Sequence, residues 1–177
     1  MYKLRRLFSS DSNDRRRHTC KCKHAEVYIL KKFALFIATG MYVGYSPYAP
    51  GTLGSLPGII ICFFLSQSDQ VIYAAAYLTS FLTAIWAAGI ASKYFAQKDP
   101  GQIVCDEVVG FMTAMFLIPF TLFNVIIVFL LFRIFDIFKP FPINVIDRKM
   151  ESGFGIVLDD VAAGIYSNIA FRLLMLI

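Results

Sequence analysis

Residues 108–132 read VVGFMTAMFLIPFTLFNVIIVFLLF, an apolar run with Pro119 and Asn124 near its middle. The run is long enough for one helix to cross a bilayer, but proline interrupts the hydrogen bonding of a helix interior. The segments on both sides of the run carry Lys or Arg, whereas residues 119–124 carry none. Because cytoplasmic loops are enriched in basic residues, we predict two short helices in a hairpin that returns to the cytoplasmic side.

Four further apolar runs indicate an integral membrane protein. They cover residues 33–43, 53–65, 71–91 and 156–177. Hydrophobic residues make up 58% of the chain, above the roughly 45–50% that is usual in soluble domains. Only the last two runs have the length of about 20 residues that a simple span needs, and we expect 33–43 to lie in the interface or to re-enter the membrane. We therefore predict an all-α fold, a polytopic integral membrane helical bundle with short or re-entrant helices.

Positive charge is concentrated before the first apolar run, where residues 1–32 hold ten of the 17 Lys and Arg residues. We predict a basic, disordered cytoplasmic tail over 1–32 that lies against anionic lipid, and a membrane-embedded catalytic domain over 33–177. The tail has no aromatic interleaving or folded module, so we expect no nucleic-acid binding. A zinc site in the tail is the weaker alternative, because its Cys and His residues alternate at an unusual spacing. Those residues are His18, Cys20, Cys22 and His24.

Acidic side chains stand at the edges of these apolar runs. An ionised carboxylate beside hydrocarbon is costly unless a cation offsets it, and a divalent metal ion is the simplest shared partner. For the first pair, compensation of a helix dipole is an alternative explanation. The carboxylates in question are Asp106, Glu107, Asp136, Asp159 and Asp160.

The segment RIFDIFK places Arg133, Asp136 and Lys139 at intervals of three residues. On a helix these side chains fall roughly along one side, and Pro140 marks the end of that helix. A structural ion-pair network is possible, but charge inside a membrane is more often functional, which favours phosphate binding beside a metal ligand.

Residues 44–58, GYSPYAPGTLGSLPG, are rich in proline and glycine. We expect these residues to keep the stretch out of a regular helix. Thr52 and Ser55 then present hydroxyl groups at the start of the next helix, where free N–H groups attract anions.

The residue types that are missing also limit the chemistry. Both histidines, His18 and His24, lie in the tail, and the chain has no phosphoaspartate or Cys-x5-Arg loop. If the chain cleaves a phosphate ester, carboxylates, a metal ion and basic side chains are available. This set favours direct attack by metal-activated water.

Four sequence blocks, in this order, resemble the phosphatidylglycerophosphatase A family. They are YSPYAPGTLGSLPG (45–58), IVCDEVVG (103–110), FRIFDIFKPFPI (132–143) and GFGIVLDDVAAG (153–164). The resemblance implies an all-helical, magnesium-dependent phosphatase of the bacterial inner membrane, with its active face toward the cytoplasm. It also implies hydrolysis of phosphatidylglycerophosphate to phosphatidylglycerol and phosphate. The chain departs from the family at Gln102 and at Ser152-Gly153, and neither departure removes a carboxylate.

The resulting hypothesis assigns a role to each candidate residue. The five carboxylates hold one or two Mg2+ ions, and Arg133 and Lys139 bind the phosphate oxygens with help from Thr52 and Ser55. Glu107 or Asp160 takes the proton of the attacking water. Two alternatives stay open: a phosphatase of another phosphorylated lipid or isoprenoid, and a small membrane cation transporter.

Overall fold

The computed structural model describes residues 28–47, 50–95, 100–149 and 152–176. The chain divides into two units, Met1–Phe33 and Ala34–Ile177. Most of the predicted basic tail, with its His and Cys residues, lies outside the described residues.

The secondary structure of the described residues is helical throughout, as the sequence predicts, and a 3-10 turn at Val43–Tyr45 follows the first helix. The helices are α1 (28–38), α2 (Pro50–Leu65), α3 (Gln70–Phe95), α4 (Cys105–Ala114), α5 (Leu122–Phe138), α6 (Ile143–Lys149) and α7 (Gly153–Leu174).

The apolar run 108–132 is broken where the sequence predicts. Helix α4 ends at Ala114, and α5 begins at Leu122. Asn124 fixes the connection, because its side-chain amide donates to the Pro119 carbonyl (2.9 Å) and its backbone N–H donates to the Thr121 hydroxyl (3.2 Å). Thr121 is thus the N-cap of α5. The two helices form a hairpin that returns the end of α5 to the start of α4.

Within the described part of the chain, α3 and α7 are the helices long and apolar enough to cross a membrane. Helix α3 turns large apolar side chains outward, among them Leu78, Leu82 and Trp86. An outward apolar surface of this kind is what a bilayer accommodates and what water does not. Helix α7 is more enclosed, since it packs against α3, α4, α5 and α6.

Helices α4 and α7 run in the same direction and approach each other closely through glycine. A Cβ atom at Gly110 would lie 2.8 Å from the Asp160 carbonyl oxygen. A Cβ atom at Gly164 would lie 2.9 Å from Thr113 Cβ and closer still to the Gly110 carbonyl oxygen. Small residues at such positions let helix backbones come into contact inside a membrane. This contact brings the first turn of α4 to about the level of Asp159 and Asp160 on α7.

Helix α2 corrects one expectation from the sequence. The stretch 44–58 was expected to stay out of a regular helix, but α2 begins at Pro50 and includes Pro57. Pro50 fits the first turn of this helix, where its missing N–H has no hydrogen-bond partner to lose. The glycines do not break the helix. They allow it to lie close to α4, since a Cβ atom at Gly58 would lie 3.1 Å from the Val108 carbonyl oxygen.

We predict that Gly164→Ala destabilises the protein by about 1–3 kcal/mol, the usual cost of overpacking a tight core. The added methyl group meets backbone of α4, which cannot move aside as a side-chain tip can. Gly101→Ala is the matched control, because no atom lies within 4 Å of the added Cβ there. Thermal unfolding in detergent measures the difference. Equal melting temperatures for the two variants would contradict the close packing of α4 on α7.

Candidate active site

The first turn of α4 contributes two carboxylates. The sequence predicts a helix from Val108, but α4 begins at Cys105, so Asp106 and Glu107 lie inside its first turn. The Glu107 backbone N–H donates to Asp106 Oδ1 (2.9 Å), and a position in the first turn is compatible with the alternative of helix-dipole compensation. Asp106 is buried, however, and dipole compensation alone does not require a buried carboxylate.

Arg133 links the two arms of the hairpin. Its Nη1 atom lies 2.7 Å from Asp136 Oδ2, one turn away on α5, and 3.3 Å from Glu107 Oε1 on α4. These contacts confirm that the end of α5 meets the start of α4. The guanidinium is therefore the cation that two of the five predicted carboxylates share.

Lys139 is held at the C-cap of α5 in a left-handed backbone conformation, with φ of 40°. A non-glycine residue in this region is strained, and such strain is typical of functional sites. The backbone N–H of Lys139 still bonds to the Phe135 carbonyl, and its ammonium donates to Asp159 Oδ2 at 2.6 Å. Asp159 is thus the acid of α7 that has a basic partner.

Asp160 is in a different position from its neighbour. It is 5% exposed, and its Oδ2 atom is buried with no hydrogen-bond partner among the described residues. It lies within electrostatic range of all four other predicted carboxylates, namely Asp106, Glu107, Asp136 and Asp159. An unpaired oxygen in a buried acidic cluster is where a cation has most to offset.

Glu107 shows the same shortage of positive charge. Burial and the neighbouring Asp106 raise the pKa of its carboxyl group, Arg133 lowers it only in part, and the resulting pKa is about 9. At neutral pH the side chain therefore needs more positive charge than Arg133 supplies in order to be ionised.

Helix α2 packs over this cluster with a face that is formed largely by glycine. A Cβ atom at Gly51 would lie 2.7 Å from Arg133 Nη2, and one at Gly54 would meet Glu107 Oε2. Ser55 donates to the Gly51 carbonyl (3.0 Å) and lies 3.5 Å from Glu107 Oε2. Ser55 therefore joins the site, whereas Thr52 is exposed and has no recorded polar contact with the charged residues described here.

Gly51 and Gly54 are site residues that the sequence analysis missed. Their spacing of three places them on one face of a helix. That signal becomes informative only once α2 is known to begin at Pro50, because in an irregular loop the same spacing has no fixed direction.

The carboxylate oxygens of this cluster suit a hard divalent cation, but in their present positions they do not form a complete set of metal ligands. Across residues 28–47, 50–95, 100–149 and 152–176, no three acidic, cysteine or histidine side chains lie close enough to hold one metal ion. Arg133 forms ion pairs with Glu107 and Asp136, and Lys139 forms an ion pair with Asp159. The partnerless Asp160 Oδ2 fits an oxygen-seeking cation such as Mg2+, and other carboxylates would have to reorient to join it.

Comparison with known proteins identifies the family. The profile of the family described as phosphatidylglycerophosphatase A matches residues 36–175. The chain belongs to the phosphatidylglycerophosphatase A family. The matched range contains every charged residue of the cluster, and family membership makes the chain a phosphatase rather than a cation transporter.

Curated relatives agree with this assignment. The chain is 39% identical over 147 residues to phosphatidylglycerophosphatase A of Haemophilus influenzae, covering 79% of this chain and 90% of the relative. It is 31% identical over 132 residues to phosphatidylglycerophosphatase A of Escherichia coli, covering 74% and 77%. A protein of Bacteroides thetaiotaomicron, 39% identical over 146 residues and covering 76% and 89%, carries the provisional name phosphatidylinositol-3-phosphatase. No solved structure matches the chain significantly.

We predict that Gly51→Ala lowers phosphatase activity by about tenfold to a hundredfold, because displaced catalytic groups are costly even at small distances. The new methyl group meets the tips of Arg133 and Glu107, which move aside more easily than backbone does. Its melting temperature should therefore stay close to that of the wild type, unlike that of Gly164→Ala.

Phosphate release and thermal unfolding, measured on the same preparations with Gly101→Ala as control, test this separation. Full activity of Gly51→Ala would show that α2 does not constrain the charged cluster.

Proposed function

We propose that this protein hydrolyses phosphatidylglycerophosphate to phosphatidylglycerol and phosphate. The observation that carries the proposal is the meeting of α4, α5 and α7 at one acidic site with two basic side chains, in a chain of the phosphatidylglycerophosphatase A family. Arg133 and Lys139 supply the charge that a phosphate monoester attracts, and Arg133 has the planar geometry that matches phosphate oxygens.

The surroundings of the site support a lipid substrate. Large apolar side chains around the end of α5 are exposed, including Ile137 at 68%, Phe138 at 77% and Phe141 at 76%. Apolar exposure directly beside charged residues supports a position for this end of the bundle at the border between bilayer and water. A phospholipid presents its phosphate at the same border. The apolar remainder of the substrate then stays within the membrane.

We further propose that the phosphatase depends on Mg2+. Asp160 would bind the ion through its partnerless Oδ2, and Asp106, Glu107, Asp136 and Asp159 are the other carboxylates available to it. When bound, the ion supplies a Lewis acid that offsets phosphate charge and activates water. The charge shortage at Glu107 and Asp160 supports this proposal, because one divalent ion offsets more of it than a lysine or arginine does.

The chain's own residues divide the remaining work. Arg133 and Lys139 hold the phosphate oxygens, and their carboxylate partners keep them in place. Water attacks phosphorus, the bond from phosphorus to the glycerol oxygen breaks, and the glycerol oxygen ends with a proton. Of the two candidate bases, Asp160 has an oxygen with no recorded partner, whereas both Glu107 oxygens lie near Arg133 or Ser55. Because Asp160 Oδ2 is the atom assigned to the ion, the acceptor of the water proton is Glu107 or the other oxygen of Asp160.

A second substrate class has a specific observation in its favour. The relative provisionally named phosphatidylinositol-3-phosphatase is as similar to this chain as the Haemophilus relative. Both lipids carry a phosphate monoester on a head group that a phosphodiester joins to a diacylglycerol anchor, so the charged cluster suits either one. Competition between the two lipids in one assay ranks them.

We predict that Asp160→Asn lowers kcat by at least about a hundredfold, the usual contribution of a group that acts on the reacting proton or metal. Asp69→Asn is the matched control, because Asp69 is exposed and follows α2 at the end remote from the acidic site. Phosphate release from phosphatidylglycerophosphate, with and without Mg2+ and with EDTA, measures both effects. EDTA should abolish wild-type activity, and added Mg2+ should restore it.

Each proposal has its own contrary outcome. EDTA-insensitive release by the wild type would refute the Mg2+ proposal and leave the substrate untouched. If the wild type cleaves phosphatidylinositol 3-phosphate but not phosphatidylglycerophosphate, the proposed substrate is wrong and phosphatidylinositol 3-phosphate takes its place. Full activity of Asp160→Asn would remove Asp160 from the site.

We also propose a multi-pass protein of the bacterial cytoplasmic membrane with the acidic site facing the cytoplasm, since Lys93, Arg133 and Lys139 lie at that end of the described helices. In a background without the native cysteines, Gly101→Cys and Phe141→Cys should react with an impermeant maleimide only after the cells are opened. Asp69→Cys should react in intact cells. Labelling of Gly101→Cys and Phe141→Cys from opposite sides would contradict the hairpin.

A further inference from the structure

Val104 occupies the N-cap position of α4, where local preference does not favour a valine. An N-cap side chain usually accepts a hydrogen bond from the first turn of the helix through an oxygen atom, and valine has none. The structure accordingly records no side-chain cap at this end of α4. Val104 is completely buried, so its side chain contributes packing in place of a cap. We propose that Val104 is a positioning residue that fixes the distance between Glu107 and α2, an inference that rests on the proposed function.

Three glycines from two separate segments form a socket around the Val104 side chain. A Cβ atom at Gly54 of α2 would lie 2.6 Å from Val104 Cβ, and one at Gly40 would lie 2.8 Å from Val104 Cγ2. A Cβ atom at Gly44 would lie 3.2 Å from Val104 Cγ1, and it would also meet the Gln102 carbonyl oxygen. Both methyl groups of Val104 therefore face glycine backbone, which can approach more closely than any other residue could.

The turn that supplies two of these glycines is fastened to the segment before α4. The Val104 backbone N–H donates to the Ala38 carbonyl (2.8 Å). The chain then passes through three successive residues with positive φ, which is 55° at Gly40, 57° at Met41 and 71° at Tyr42. Non-glycine residues in this conformation are strained, and such strain persists only where the surrounding structure imposes it. The turn keeps this conformation where it wraps around the Val104 side chain.

The packing of Val104 reaches the acidic site through Glu107. The two residues are three apart, which places them on one face of α4. Gly54 is next to both, since a Cβ atom there would also meet Glu107 Oε2. The Val104 carbonyl accepts from the Val108 backbone N–H (3.3 Å), so the first turn of α4 begins at this residue. A shift of Val104 relative to α2 therefore moves Glu107, the carboxylate that pairs with Arg133 on α5.

Truncation of Val104 tests the inference. Val104→Ala removes the two methyl groups that fill the socket. Val125→Ala is the matched control, because it removes the same groups from a buried position on α5, about 12 Å of helix before Arg133. Both variants should lose thermal stability in detergent, since a cavity is costly wherever it lies in a core.

The kinetic constants for phosphatidylglycerophosphate separate the two variants. We expect kcat to fall about tenfold or more in Val104→Ala and to change less than about twofold in Val125→Ala, because only the first displaces a charged group of the site. KM should change by less than about twofold in both, because the groups that bind the phosphate remain and only their alignment is altered. Phosphate release over a range of substrate concentrations measures both constants.

Gly40→Ala gives a second test that creates no cavity, because its added Cβ presses on Val104 Cγ2. This variant should also lower kcat. In the double variant Gly40→Ala/Val104→Ala, the methyl group that the new Cβ would meet is gone. We therefore expect the kcat of the double variant to be about fivefold higher than it would be if the two separate losses multiplied, as is usual for residues in contact. The positive φ of Gly40 strains the alanine in both backgrounds, so this strain does not contribute to the difference.

The outcomes are distinct. A wild type without phosphatase activity would refute the proposed function, and the positioning role with it. If the wild type is active, equal kcat values for Val104→Ala and Val125→Ala would show that Val104 contributes only to stability. That result would overturn the inference and leave the proposed function standing, as would a loss confined to KM. If Val104→Ala does not fold, Gly40→Ala decides, and an unchanged kcat in that variant would overturn the inference.

Discussion

The contact between the backbones of α4 and α7 at Gly110 and Gly164 determines where the candidate carboxylates lie. The two helices run parallel, and each carries a buried aspartate one turn before its glycine: Asp106 before Gly110, and Asp160 before Gly164. Backbone contact at the glycines therefore aligns the two aspartates at one level. The α5 arm of the hairpin then brings Arg133 and Asp136 to the same level from the opposite direction. Without glycine at these positions the carboxylates would stand further apart.

The position of the site follows from an imbalance of charge. Five carboxylates meet two basic side chains, and the recorded ion pairs engage Glu107, Asp136 and Asp159. In a region of low dielectric such an excess is unfavourable unless protons or a cation offset it. The raised pKa of Glu107 and the partnerless oxygen of Asp160 are two signs of the same excess. On the proposed function, the substrate phosphate and a divalent ion would bring opposite charges to this site together.

The sequence predicted the parts of the site that depend on local pattern. Pro119 and the charge distribution around 108–132 predicted the hairpin, and the three-residue spacing in RIFDIFK predicted that Arg133 and Asp136 share a helix side. The pairing of Lys139 with Asp159 needs a contact between α5 and α7 that no local pattern specifies. The helix at Pro50 was missed because local propensity counts each proline and glycine against a helix. The packing of Gly54 and Gly58 against α4 overrides that propensity. This packing is a tertiary contact, which the local sequence does not specify.

The two ends of α7 show how differently one bundle uses positive charge. At the acidic end, Arg133 and Lys139 bind carboxylates. At the other end, Arg172 donates to the Phe116 and Leu117 carbonyls, and Asn168 donates to those of Ala114 and Phe116. These carbonyl groups lie at and after the end of α4, where the backbone makes no helical hydrogen bonds. By donating to them, Arg172 satisfies their hydrogen-bonding capacity and its own. On the proposed function, the carboxylate partners of Arg133 and Lys139 would exchange for phosphate oxygens, whereas the backbone carbonyls bound by Arg172 cannot be replaced without unravelling the turn. Exchangeable partners would therefore distinguish a phosphate-binding cation from a structural one on the same bundle.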